Sequence, residues 1–266
     1  MVLEDEKSTS GNWNLIPGYV SGIPVHSFDR KQVLEIIKEG IEHDRAKRHI
    51  CITNTESMYY AKRVAAHLEF INTSTLSLCD GIGSVIAGKF QGQKITRFNG
   101  PDLLLACAEY GQKLGWRHYF CGGKEGVADK LATNLKNKYP EMKVAGTFCP
   151  PFRKTSEEEN QTMLDNINNS QADIIWVGLG LLKQESWIAQ YKEKLNVPWS
   201  VGVGAAFDFY AGTAKRAPAV FRKAGFEWLY RLILEPRMFK RNLNSYHFMF
   251  SAIRDGITKK YKTNSK

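Results

Sequence analysis

The amino-acid sequence predicts an α/β protein, a parallel sheet covered by helices on both faces, with a basic helical appendage at its C-terminus. Up to Asp208, short runs rich in β-formers alternate with segments of helical period, and each run closes on a polar or glycine-containing turn. Strands joined through helices pair in parallel, so the predicted architecture is Rossmann-like. Beyond Gly212 the sequence turns apolar and basic, with helical spacing and no strand signal.

The predicted strands are His49–Thr53, Thr75–Cys79, His118–Cys121, Lys143–Phe148, Asp173–Val177 and Trp199–Val203. Residues 30–44 place Val33, Ile36, Ile37 and Ile41 on one helical face. A helix opening at Gly100 carries Pro101 near its first position, where the missing N–H is not needed. Thr155-Ser156-Glu157-Glu158-Glu159 supplies a capping-box start with acidic residues at the positive helix end. Residues 221–235 are apolar and basic, and Pro236 interrupts them. The segment 237–253 then separates by face. Phe239, Leu243, Tyr246, Phe250 and Ile253 share one side, and Arg237, Lys240, Arg241 and Asn244 fall on the other. Such a helix either docks on its own domain or lies on a membrane surface. The expected division is a catalytic core over 1–212 and an appendage over 213–266.

Charge is distributed unevenly. The chain carries 37 Lys and Arg against 27 Asp and Glu, a net charge of +10. From Thr213 onward there are 13 basic and 3 acidic residues, while the first 212 residues carry 24 of each sign. The appendage therefore calls for an anionic partner: phosphate, nucleic acid or an acidic membrane surface. Its cations interleave with a regular apolar face and no nucleic-acid recognition motif accompanies them, so nucleic acid is not the expected partner. No apolar run reaches membrane-spanning length and the polar N-terminus is not a secretory signal. The expected location is cytoplasmic, peripheral at the inner face of the cell membrane. Five scattered cysteines form no C-x-x-C pair, and six histidines show no metal-ligand spacing. Neither a metal nor another cofactor is called for, and homo-oligomerisation stays open.

Ligands of open parallel sheets bind beyond the carboxyl ends of the strands. The residues expected there define the candidate site. Asp80, in Cys-Asp-Gly-Ile-Gly, can act as general base toward a sugar hydroxyl, or it can simply stabilise a tight turn. Phe120-Cys121-Gly122-Gly123-Lys124-Glu125-Gly126 suits either a phosphate cradle or a plain strand-to-helix turn, and it lacks G-x-G-x-x-G spacing. That departure weakens the competing class, a nicotinamide-dependent oxidoreductase. Lys183-Gln184-Glu185 can hold a polyhydroxyl ligand or form a solvated first helical turn. Arg97 precedes a helix N-terminus. Arg231, Arg237 and Arg241 can clamp a diphosphate, because guanidinium groups pair bidentately with phosphate oxygens.

In order, these motifs resemble the WecG/TagA/CpsF glycosyltransferase family over about residues 50–241. The matching pieces are Asn54-Thr55-Glu56, Asp80-Gly81-Ile82-Gly83, Arg97…Gly100-Pro101-Asp102, Gly122-Gly123…Gly126-Val127-Ala128 and Val177-Gly178-Leu179-Gly180…Lys183-Gln184-Glu185. They continue through Val201–Asp208, Arg216-Ala217-Pro218 and Glu227–Arg231. The resemblance implies a metal-independent, inverting enzyme that moves a hexose or N-acetylhexosamine from a UDP-sugar to a polyprenyl-diphosphate-linked sugar during cell-surface polysaccharide synthesis. It implies Asp80 as the base, Asn54, Arg97 and Gln184 as pocket residues with Thr53 beside them, and Arg231 and Arg241 as diphosphate ligands. Three departures stand out. Ile52 replaces a threonine of the family's Thr-x-Asn, Leu182 replaces the proline of Pro-Lys-Gln-Glu, and one arginine stands at 237 rather than 238. Ile52 offers no hydrogen bond, which leaves the identity of the donor hexose open.

Overall fold

In a computed structural model describing residues 14–151, 153, 155–223, 227, 230, 232 and 239–258, all six predicted strands form, each within one residue of its expected ends. They are β3 (Arg48–Thr53), β4 (Leu76–Cys79), β5 (Arg117–Gly122), β6 (Lys143–Phe148), β7 (Ile174–Gly178) and β8 (Trp199–Gly202). They make one parallel sheet in the order β4-β3-β8-β7-β5-β6. This order is not that of the dinucleotide-binding Rossmann fold. The chain leaves β3 toward β4 on one side, and β7 hands over to β8 from the other. The crevice between β3 and β8 is the place where a ligand is expected.

Side chains alternate along each strand, so the sheet has two apolar faces. Ile50, Leu78, Phe120, Ile174 and Val201 meet α1 (Arg30–Glu39), α5 (Gly100–Leu114), α6 (Val127–Lys138) and α9 (Ala206–Ala211). Cys51, Cys79, Cys121, Ile175 and Val177 meet α2 (Thr55–Ala61), α3 (Ala65–Asn72), α7 (Glu157–Asn169) and α8 (Lys183–Tyr191). The five cysteines are free thiols, and all but Cys149 are buried. At the amino end of the sheet, Arg117 and Arg45 both grip the buried Asp173. Burial opposes that charge, but the two arginines outweigh it and hold the carboxyl below its ordinary pKa.

Local sequence explains several boundaries. Ser156 caps α7 with Glu159 answering, as the capping-box pattern predicts. The single helix expected over 30–44 instead ends at Glu39 and widens into a π-helical turn over Gly40–Asp44. Gly40 lies where a Cβ would come within 2.8 Å of the Trp199 indole, whose N–H donates to the Ile37 carbonyl. The indole therefore packs directly against the helix backbone. A hairpin not foreseen, β1 (Gly18–Val20) and β2 (Ile23–Val25), turns at Ser21-Gly22 with both residues at positive φ.

The C-terminal helices bounded among the described residues are α10 (Ala219–Lys223) and α11 (Phe239–Ile257), with α11 packed on α2 and on α4 (Ile82–Phe90). The amphipathic helix exists, and of the two alternatives it docks on its own domain, through the side opposite Leu243 and Phe250. Phe248, Ala252 and Asp255 are buried, whereas Leu243 and Phe250 are 49% and 66% exposed. Among the described residues no helix is long and apolar enough to cross a membrane.

Candidate active site

A cavity of about 430 Å³ opens at the carboxyl ends of β3, β4, β7 and β8. Asp80 lies on its wall, one residue beyond β4, with its backbone N–H held by the Thr53 carbonyl at 3.0 Å. Gly81 follows at φ 92°, a left-handed angle that lets the chain turn straight into α4. Removal from water pushes the Asp80 carboxyl up to about 6, against the pull of the nearby Arg97 and with a further push from Glu227 and Asp102. Arg97 is placed by a β-bridge to Cys79, the residue before Asp80, so carboxylate and guanidinium are neighbours by backbone pairing.

Asn54 caps α2 by accepting from the Ser57 N–H and also lines the cavity. Gln184 is almost fully buried between two polar partners. Its Nε2 donates to Glu185 at 2.9 Å, and its Oε1 accepts from the Gly204 N–H at 3.0 Å. Gly202 makes room for it, since a Cβ there would meet the Gln184 amide at 2.8 Å. Glu185 itself has one carboxylate oxygen without a hydrogen-bond partner among the described residues. Burial lifts its carboxyl to about 7, partly offset by the Gln184 bond. The helices α4, α5 and α8 all begin on this rim and turn their positive ends to it.

Thr53 does not join the others. Its side chain is fully buried and its hydroxyl pairs with Ser77 at 2.8 Å, tying β3 to β4. Strand alternation turns Ile52 to the cavity instead. Gly122 and Gly123 also lie away from the cavity lining. A Cβ on Gly122 would stand 2.7 Å from the Gly178 backbone, and one on Gly123 would stand 2.8 Å from Val127. Close strand and helix packing accounts for those glycines. Arg231 and Arg237 lie outside the described residues; Arg241 is on α11.

Several lining residues escaped sequence reasoning. Asn99 caps α5 and faces the cavity, a role its place before Gly-Pro-Asp could have signalled. Glu227, Ser245, Tyr246 and Met249 come from the C-terminal region to close one side. Arg216 connects that region to the core. It donates to Asp102 at 2.7 Å and to the Tyr210 hydroxyl at 2.8 Å, and lies 3.6 Å from Glu227.

The family model for the glycosyl transferase WecG/TagA/CpsF family matches residues 19–262. The chain belongs to that glycosyltransferase family. A WecG/TagA/CpsF relative from Bacillus subtilis (strain 168) is 26% identical over 242 residues, 91% of this chain and 93% of the relative. It is an N-acetylglucosaminyldiphosphoundecaprenol N-acetyl-beta-D-mannosaminyltransferase. A relative of the same name from Staphylococcus aureus (strain NCTC 8325 / PS 47) is 27% identical over 233 residues, covering 87% of this chain and 90% of its own length. The family assignment makes the protein a glycosyltransferase. The nicotinamide alternative gains no support, because its weak glycine fingerprint packs strands together away from the cavity.

Proposed function

We propose that this family member is an inverting transferase that moves a hexose or N-acetylhexosamine from a UDP-sugar onto a sugar carried by a polyprenyl diphosphate. The observation that carries the reading is Asp80, a carboxylate in a cavity wall with its pKa raised to about 6. At neutral pH it is ionised, yet basic enough to accept a proton from an attacking hydroxyl. The acceptor oxygen bonds to the anomeric carbon from the face opposite the leaving group. As the carbon–oxygen bond to UDP breaks, its electron pair leaves with the diphosphate. The acceptor proton passes to Asp80.

Other residues take supporting parts. Arg97 and the N-termini of α4, α5 and α8 meet the negative charge that grows on the leaving diphosphate. Asn54 and Gln184 orient sugar hydroxyls. Arg231, Arg237 and Arg241 serve as clamps on a diphosphate, all three assigned from the sequence alone. The curated relatives are named for an undecaprenol-linked diphosphate, which supports a lipid-linked acceptor here. Residues 1–212 form the catalytic core, and 213–266 the appendage that completes the cavity and contacts an anionic leaflet from the cytoplasmic side.

The direct test is a panel of UDP-sugars assayed against a polyprenyl-diphosphate-sugar acceptor. One donor should transfer with inverted anomeric configuration, and Asp80→Asn should abolish most of that turnover. Retention of configuration would overturn the inverting displacement, and full activity of the Asn variant would remove Asp80 from the mechanism.

A further inference from the structure

Helix α4 is built the wrong way round for a helix that only packs. It buries Ser84, Ala87 and Gly88, its small residues, and turns its largest apolar side chains outward at positions i, i+4 and i+8. These are Ile82, Ile86 and Phe90. Ile82 and Ile86 line the cavity, and exposure rises from 36% at Ile86 to 50% at Phe90. The stripe therefore starts inside the site and leads out of it.

Helix α11 runs alongside in the same direction. Gly83 lies beside Met249, where an added Cβ would stand 3.6 Å from the sulfur, and seven residues further along both helices Gly256 sits against the Phe90 carbonyl. Close contact at both ends keeps the pair parallel. On α11 the cavity edge is Tyr246, and helical spacing carries that edge on to Ile253 and Ile257. Ile253 is partly exposed and Ile257 is 67% exposed. Two apolar edges thus continue from the polar site to the surface, over a length of roughly 12 Å at 1.5 Å rise per residue.

We infer that this α4–α11 edge is the subsite for the first isoprene units of the acceptor's polyprenyl chain. The inference rests on the lipid-linked acceptor proposed above and adds where its hydrocarbon lies. The polar end of the cavity holds Asp80, Arg97, Asn54 and Gln184, which suit sugar and diphosphate. A polyprenyl diphosphate joins such a head directly to an unsaturated hydrocarbon, and the cavity joins the same two chemistries in the same order. A leaflet would also cover exposed apolar residues. The continuity of the stripe with the interior of the site favours a ligand that enters the cavity over a surface that only touches the rim.

The test uses the full chain in detergent micelles with N-acetylglucosaminyl diphosphate carrying either one isoprenyl unit or a long polyprenyl tail. The wild type should show a lower KM for the long-tailed acceptor. Phe90→Asn/Ile257→Asn changes two exposed side chains and should raise that KM about ten-fold, the worth of partly losing two apolar contacts. Its kcat, its donor KM and its KM for the short-tailed acceptor should stay at wild-type values. Equal KM values for both acceptors in the wild type, or a rise shared by both in the variant, would overturn the subsite. So would a variant that keeps its micellar KM but loses binding to anionic vesicles, since the stripe would then be a leaflet contact. Wild-type transfer to neither acceptor would overturn the acceptor reading itself, and the subsite with it.

Discussion

Asp80 sits where function and stability conflict. Its pKa is raised from 3.8 to about 6, so above pH 6 the folded state holds a charge it would shed more readily than the unfolded chain. The sign follows. Below about pH 3.8 the group is neutral in both states and costs nothing; as pH rises through 6 the folded state loses stability relative to the unfolded one. Asp80→Asn should therefore stabilise the protein by roughly 1–3 kcal/mol at pH 7. Thermal melts at pH 7.5 and pH 4 would show the gain at the first and little at the second. Turnover of that variant should drop by roughly 10²–10⁴-fold. For the wild type, kcat/KM should rise with pH through an inflection near 6, because the base must be ionised. A flat profile between pH 5 and 8 would argue against Asp80 as the base.

At the scale of elements, the turn from β7 into α8 is strained. Leu182 stands at φ 70°, a left-handed angle that costs a branched side chain about 1–2 kcal/mol. Proline cannot reach that angle. Leu182→Pro, which restores the residue usual in the family's Pro-Lys-Gln-Glu, should lower stability by about 2–3 kcal/mol unless the whole turn rebuilds. Chemical denaturation would measure the loss, and an unchanged midpoint would show that the turn adapts. The pairing of β5 with β7 is equally demanding. Gly122→Ala would force a Cβ into the Gly178 backbone and should cost several kcal/mol, although no cavity residue is touched. Neither Leu182 nor Gly122 lines the cavity, so the affinity of any protein that still folds should survive.

At the scale of the whole molecule, contacts between the core and α11 fix the C-terminal region in place. The Gln91 amide donates to the Ala252 carbonyl at 2.8 Å, and Phe248 and Ala252 are buried against the core. Truncation after Gly212 leaves every strand of the sheet intact, so a folded core is expected. It should melt earlier than the full chain, because the α2 and α4 surfaces lose their cover. Activity should vanish with Tyr246, Met249, Glu227 and the basic residues. Full turnover by the truncated core on a water-soluble acceptor would exclude the appendage from the site. The appendage should also bind anionic vesicles in a salt-sensitive way, through Lys215, Arg222, Lys223, Lys259, Lys260 and Lys262. Each cation near the leaflet is worth about 1 kcal/mol, reduced by salt screening. Co-sedimentation indifferent to lipid charge and to salt would defeat that attachment.

The amino-acid sequence by itself determined the strands, the parallel sheet and the rim. Alternating apolar runs closed by polar turns are local signals, and they place Asp80, Asn54 and Gln184 at strand ends without knowledge of the neighbours. It also held the family resemblance, because the motifs recur in order along one chain. Tertiary structure decided the rest. The strand order depends on which helices cross over, information spread across the whole chain. Thr53 and Ile52 differ only in the face to which the strand turns them, and only pairing with Ser77 showed which one meets the cavity. The docking side of α11 was left open for a similar reason. Periodicity reveals that a helix has an apolar face, but burial goes to the face the core can accept. Here the core accepted Phe248 and Ala252, whose small neighbours let α11 lie close on α4. Leu243 and Phe250 of the other face remained exposed, and the apolar edge that leads out of the cavity beside them is what points to a hydrocarbon ligand.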